Sequence, residues 1–178
     1  MEFMFKLTSF FVAKRVVPVT CAMLLFSASI LEAGWLSPTN NNNPSRWSNE
    51  TLARDNDLTT YAEYAPNTTG WGQALELYTA SAIKCRRLRV SSDFQDGVDA
   101  IRLEIRLSPS STWSNIYEGV VSNQAWTIIP FNVTNITGAR FTYHFTSTYT
   151  FWLYELQFFD EPEEITLPSC ETLEGSSV

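Results

Sequence analysis

Histidine is almost missing from this chain of 178 residues: His144 is the only one. A hydrolytic triad turns on an imidazole placed between a nucleophile and a carboxylate. His144 instead alternates with aromatic residues in a strand-like run, which suits an outward sheet position. Cysteine is scarce, with three residues, no Cys-x-x-Cys pair and no His/Cys cluster, so a zinc site has no support. Basic residues are few, 12 Lys and Arg against 19 Asp and Glu, for a formal charge of −7. Binding to phosphate backbones needs a basic footprint, and that balance argues against nucleic acid. The cluster Lys84, Arg86, Arg87 and Arg89 is a local exception, and its alternation reads as one solvated strand face. No convincing helical period and no internal repeat occur beyond the N-terminal segment. The apolar run there, Val16 to Leu31, falls short of the ~20 residues that a membrane span needs.

That run follows Lys14-Arg15 and leads into small residues and Ala33-Gly34, so residues 1–33 are expected to be a secretory signal. Cleavage after Ser29 is an equal reading, and an uncleaved membrane anchor is the runner-up, the one case in which the chain would contact a membrane. Loss of residues 1–33 removes three basic residues (Lys6, Lys14, Arg15) from 12 and two acidic ones (Glu2, Glu32) from 19, leaving about −8. Secretion places the mature chain in an oxidising compartment, where Cys85 and Cys170 could pair. Residues 34–46 read as a linker, with Asn40 to Asn43, two prolines and no periodic pattern. The domain is expected over 47–160. Residues 161–178 read as a solvated acidic tail with Pro162, Pro168 and a Gly-Ser-Ser finish.

Between linker and tail the apolar pattern has period two. Ile101, Leu103, Ile105 and Leu107 alternate with charged residues, and Phe141, Tyr143 and Phe145 with Thr142, His144 and Thr146. Trp152, Tyr154, Leu156 and Phe158 alternate with Leu153, Glu155, Gln157 and Phe159. Further strands are expected at 74–78, 87–90, 115–121 and 125–131. Turn-forming runs such as Asn67-Thr68-Thr69-Gly70 and Asp96-Gly97 separate them. Many short aromatic and β-branched strands define an all-β, antiparallel sandwich or barrel. Aromatics make up 14% of the chain, enough to fill a two-sheet core of ~110 residues without a metal or disulfide.

One run carries more chemistry than the rest: Ala53-Arg54-Asp55-Asn56-Asp57-Leu58-Thr59-Thr60. Its carboxylates and hydroxyls could aim hard oxygens at one point, as Ca²⁺ requires. They would equally serve a plain surface turn. The order of motifs decides what it resembles. Ala53 to Tyr61 is followed by Ala74-Leu75-Glu76-Leu77, Leu88-Arg89-Val90, Trp113-Ser114-Asn115-Ile116-Tyr117-Glu118-Gly119, Gly138-Ala139-Arg140-Phe141 and Leu153-Tyr154-Glu155-Leu156. This collinear set resembles the coagulation factor 5/8 type C, or discoidin-like, family of the galactose-binding-domain-like superfamily, over roughly residues 47–160. Asn56 stands in the family's usual Gly place.

The resemblance implies a jelly-roll β-sandwich of about eight strands with a structural Ca²⁺. Asp55, Asp57 and Thr60 would supply oxygens from the first loop, some through backbone carbonyls, and Glu155 would close the site from the last strand. Glu155 interrupts a strand on the face shared by Leu153, where an unpaired charge is costly. The alternative is that Glu155 pairs with Arg140 or faces water.

In a sandwich the loops carry function. Sugar recognition needs a flat aromatic and a few polar groups. Tyr64 and Trp71 lie in one loop among small residues, with Phe94 and Tyr149 in two others. Each could be a contact for a ligand, or a plug in the end of the sandwich. Four Asn-x-Ser/Thr sites (Asn49, Asn67, Asn132, Asn135) fit the glycosylation pattern, which arises often by chance in Asn/Thr-rich β proteins. The function expected is a secreted, non-catalytic recognition module for a glycan or a cell-surface or matrix component. The rival is a protein-binding or adhesion module on the same fold. An enzyme is disfavoured, because no carboxylate pair comes with a nucleophile.

Overall fold

The computed structural model describes residues 34–161. The expected leader, the acidic tail beyond Glu161 and Cys170 lie outside the described residues. In chain order the strands are β1 (Gly34–Leu36), β2 (Asn40–Asn41), β3 (Trp47–Ser48), β4 (Ala62–Tyr64), β5 (Gly70–Trp71), β6 (Leu75–Ser92), β7 (Val98–Arg106), β8 (Ser114–Gly119), β9 (Thr127–Phe145) and β10 (Phe151–Asp160). One 3₁₀ turn, Glu50–Arg54, lies between β3 and β4. The hydrogen-bonded order is β3-β4-β10-β6-β9-β7-β8, with β1 added to β10, β2 to β6 and β5 to β9.

This sheet is doubled over into two layers. Two strands are long enough to serve both. Residues 75–78 of β6 pair with 138–141 of β9, while 83–90 pair with 127–136, and the register shifts between Tyr78 and Ile83. β10 joins only the later part of β6, and β7 only the later part of β9. The aromatic contacts that close the sandwich come from strands sharing no ladder. Tyr64 stacks on Phe145 at 4.9 Å, Phe145 meets Phe151 at 5.4 Å, and Trp47 meets Phe141 at 6.3 Å. Tyr143 Oη, buried among these rings, donates to the Trp152 carbonyl at 2.7 Å, as a buried phenol must find a partner.

Period two places the core as expected in β7 and β9: Ile101, Leu103 and Ile105, and Phe141, Tyr143 and Phe145, are all buried. Leu107 falls beyond the end of β7 and is exposed. β10 departs from the expected alternation. Leu153 faces Ser92 and Glu155 faces Ser91, so Tyr154 is an extra residue, a β-bulge. The bulge reverses the phase: Phe151 and Leu153 are buried before it, Leu156 and Phe158 after it. Trp152 and Tyr154 are left to flank Tyr61, at 4.5 and 5.9 Å. Glu155 therefore does not share its face with Leu153.

The expected linker 34–46 is partly sheet. Trp35 sits opposite Phe159, with their rings edge to face at 5.1 Å. Its indole also receives the guanidinium of Arg89 at 4.5 Å. The asparagines that suggest a linker act as a strand edge: Asn42 Oδ1 accepts from Glu76 N at 2.8 Å, and Asn42 N donates to Glu76 O at 3.0 Å.

Candidate functional site

Two places gather chemistry, and the first is the 55–60 turn. The 3₁₀ turn anchors it through the buried Ala53, and Arg54 Nε donates to Asn41 Oδ1 at 2.8 Å. Asn56 adopts φ of 65°, the left-handed conformation for which Asn is the best substitute for Gly. Asp57 N donates to Asp55 Oδ1 at 3.0 Å, and Thr60 Oγ1 to Asp55 Oδ2 at 2.8 Å. The Asp57 carboxylate is held by Thr59 N at 2.8 Å and Thr59 Oγ1 at 2.7 Å. Those two bonds lower its pKa, the hydroxyl contributing most.

Glu155 reaches this turn from β10. It is fully buried. Its Oε1 accepts from Asn56 N at 2.5 Å and from Asp57 N at 3.3 Å, while Oε2 has no protein partner. Arg140 is engaged elsewhere, with Glu104 at 2.5 Å, so neither the Arg140 pairing nor the water-facing reading of Glu155 holds. Burial, followed by the nearby Asp55 carboxyl, pushes the Glu155 pKa up to about 8 against the two backbone N–H groups. Beside it, Gln157 Nε2 donates to Asn56 Oδ1 at 2.8 Å, and Arg89 Nε donates to Gln157 Oε1 at 2.8 Å. The structure thus brings Asp55, Thr60 and Glu155 to one turn, with the Asp57 side chain turned to Thr59.

Tested against a cation, this donor set is all oxygen, and the orphaned Oε2 of Glu155 is an unsatisfied buried acceptor of the kind that a cation would satisfy. Among the described residues no group of three or more His, Cys, Asp or Glu side chains is placed to hold a metal. Side-chain carboxylates alone therefore do not complete a site, and backbone carbonyls and the Thr60 hydroxyl would have to supply the rest.

The second place is a shallow recess of ≈ 370 Å³ at one end of the sandwich, lined by Ser45, Arg46, Tyr64, Asn67, Thr68, Trp71, Gly72 and Gln73. Its aromatic is Trp71, 37% exposed. Gly70 has φ of 99° with open space around it, and a Cβ on Gly72 would come within 2.7 Å of Phe145 Cε2. One glycine turns the chain and the other lets it lie flat on the core, which raises the indole between them. Arg102 covers the Trp71 ring at 3.9 Å and pairs with Glu118 at 2.9 Å. His144 meets the indole edge at 4.9 Å and holds Asp99 Oδ1 by Nδ1 at 2.6 Å. Gln73 is fixed from both sides: its Oε1 takes Arg46 N at 3.2 Å and Ser45 Oγ at 3.4 Å, and its carbonyl takes Trp47 Nε1 at 2.9 Å.

The four aromatics expected to meet a ligand divide. Trp71 does line the recess. Tyr64 lines its floor, but its ring is buried and stacked on Phe145, and its hydroxyl accepts from Gln73 N at 2.9 Å. Tyr64 is thus a core residue with one polar atom near the site. Phe94 is partly buried, packed against the core, and does not line the recess. Tyr149 is 70% exposed, outside the recess. Their loops do converge, since Gly70 pairs with Phe145 and Thr146 N bonds Gly97 O at 2.9 Å. Sequence reasoning missed Arg46, Gln73 and Arg102, because Arg46 closes the expected linker, Gln73 follows the Trp71 loop with nothing to mark it, and Arg102 reads as an ordinary outward strand residue.

Cys85, the expected partner of Cys170, is buried and among the described residues is bonded to no other cysteine. Cys85 has no exposed surface, and its pKa is pushed up to about 11, chiefly by burial. A wider hollow of ≈ 680 Å³ lies between β8 and the first half of β9, lined by Ile105, Asn115, Ile116, Pro130, Phe131, Asn132 and Thr134. It holds no charged group.

No protein-family model and no curated protein matches the chain. Solved structures do. A chitosan-binding module from a chitosanase/glucanase of Paenibacillus sp. IK-5 superposes with a TM-score of 0.55 at 14% identity, over 70% of this chain and 96% of that one. The CBM32 of AlyQ, in complex with 4,5-unsaturated mannuronic acid, gives 0.57 at 16%, over 71% and 98%. CBM32-1 from a family 31 glycoside hydrolase of Clostridium perfringens gives 0.52 at 10%, over 70% and 96%. The chain has the discoidin-like, galactose-binding-like fold. At these identities the likeness is one of architecture. What a discoidin-like sandwich binds is decided by the side chains on its loops.

Proposed function

We propose that this protein is a non-catalytic carbohydrate-binding module, secreted from the cell, that docks a glycan at the Trp71 recess. The observation that carries the reading is the exposed indole raised between Gly70 and Gly72 over a floor of hydroxyl, amide and guanidinium groups. A sugar offers an apolar C–H face to an indole and hydroxyls to polar neighbours, and this recess offers both kinds of contact in one place. The neighbouring folds support the class, because those modules are described with chitosan in one case and an unsaturated mannuronic acid in another. The same fold carries different sugars, so the class must come from the residues of this chain.

We further propose that Ca²⁺ stiffens the 55–60 turn, held by Asp55, Thr60, Glu155 and carbonyls of the turn, with Asp57 contributing through its backbone. The ion would clamp the first loop to the last strand, without any part in chemistry.

A glycan array with the purified protein tests the binding. Saturable binding to one sugar class, lost in Trp71→Ala while the melting curve is kept, is the expected result. Absence of binding to every glycan, with capture of one protein partner instead, would replace this reading with a protein-binding one.

A further inference from the structure

The residues around Trp71 carry an asymmetry of charge. No carboxylate lines the recess. Near the indole, the Arg102 guanidinium is matched by Glu118, and the His144 imidazole is hydrogen-bonded to Asp99. Arg46 is exposed and, among the described residues, has no salt-bridge partner. Its guanidinium makes no hydrogen bond among the described residues, while its carbonyl accepts from Ala65 N at 3.1 Å and its backbone N–H donates to Gln73 Oε1 at 3.2 Å. That same bond and the one from Ser45 Oγ occupy the amide oxygen of Gln73, which leaves its Nε2 to donate. The recess therefore presents an unpaired guanidinium and an amide N–H beside an aromatic surface. Its acceptors are limited to hydroxyl and amide oxygens.

We propose that the recess selects an acidic sugar, with the carboxylate of a uronic-type residue held by Arg46 and Gln73 while its ring lies against Trp71. This rests on the glycan-binding reading above and names the class of sugar. A planar guanidinium meets a carboxylate with two parallel hydrogen bonds, which a neutral hydroxymethyl group cannot accept in the same way. The acidity of the chain as a whole, −7, does not cancel this. Exposed charges farther away than the ~8 Å screening length at physiological salt contribute little.

The test uses polygalacturonate and alginate, each compared with its fully esterified form, which keeps the backbone and removes the charge. Binding is measured by titration calorimetry for the unaltered protein, Arg46→Gln and Trp71→Ala, with melting curves as folding controls. The expected result is that at least one acidic polymer binds ~10-fold or more tighter than its ester, the range for hydrogen bonds to a charged group. Arg46→Gln then lowers the acid form to the level of the ester, raised salt does the same, and Trp71→Ala removes both. Equal binding of acid and ester, indifferent to Arg46→Gln but lost in Trp71→Ala, overturns the acidic class and leaves the glycan reading standing. Failure of the acidic polymers, their esters and a panel of neutral galactan, mannan, β-glucan and chitin oligomers to bind overturns both.

Discussion

Two single residues decide how the sites are held, and both make sharp predictions. Gly72 has no room for a side chain, since an added Cβ would stand 2.7 Å from Phe145 Cε2 and 2.8 Å from the Tyr64 hydroxyl. Gly72→Ala is expected to destabilise the protein by ~1–3 kcal/mol through overpacking and to weaken glycan binding together with it. Gly70→Ala, strained only in its backbone, is expected to cost ~1 kcal/mol or more. Urea denaturation of the two variants ranks them, and an unchanged midpoint for Gly72→Ala would contradict the packing described. Glu155 is the other. Its carboxyl titrates near 8 in place of the ordinary 4.5. Between those values the folded chain keeps a proton that the unfolded chain has released, so without a bound cation stability falls as pH rises from about 4.5 to about 8. In chelator the melting temperature should drop across that window. Glu155→Gln should flatten the drop, and added Ca²⁺ should raise the melting temperature of the unaltered protein most at the upper end. Equal slopes for the unaltered protein and Glu155→Gln would show that another group governs the pH response.

At the scale of elements, β1 offers a clean test, because the composition of residues 34–46 disguises its contribution. Trp35 lies against Phe159 and beneath Arg89. Trp35→Ala removes a half-buried indole and should cost ~1–3 kcal/mol. In a chain of this size that is a fall of several degrees in melting temperature, at ~2–4 °C per kcal/mol. No change would mean that the segment is a linker after all. The strands themselves were legible wherever period two ran unbroken: β7 and the later half of β9 follow the alternation of Ile101 and Phe141 directly. The failures have one physical cause. A bulge at Tyr154 and the bend after Tyr78 break the period without any Gly or Pro to announce them, so the sequence shows two short strands where one bent strand runs, and places Glu155 on the wrong face. The recess was less legible still. Trp71 is visible as an aromatic between glycines, but Arg46 and Gln73 become neighbours only through the pairing of β3 with β4 and the fold of the loop that follows, a distance of 27 residues along the chain.

For the molecule as a whole, the order of the strands has a consequence for its birth. β10 is the last strand among the described residues, yet it lies inside the sheet, hydrogen-bonded to β4 on one side and β6 on the other. Until residue 160 has been synthesised, those two strands face each other across a gap and present bare edges. Unpaired edges are where chains join to one another, and contacts closed so late in sequence are slow to form. The nascent chain is therefore more exposed to aggregation before the ten residues of β10 emerge, and a peptide copying β10 should enter the gap and stall folding when supplied in trans.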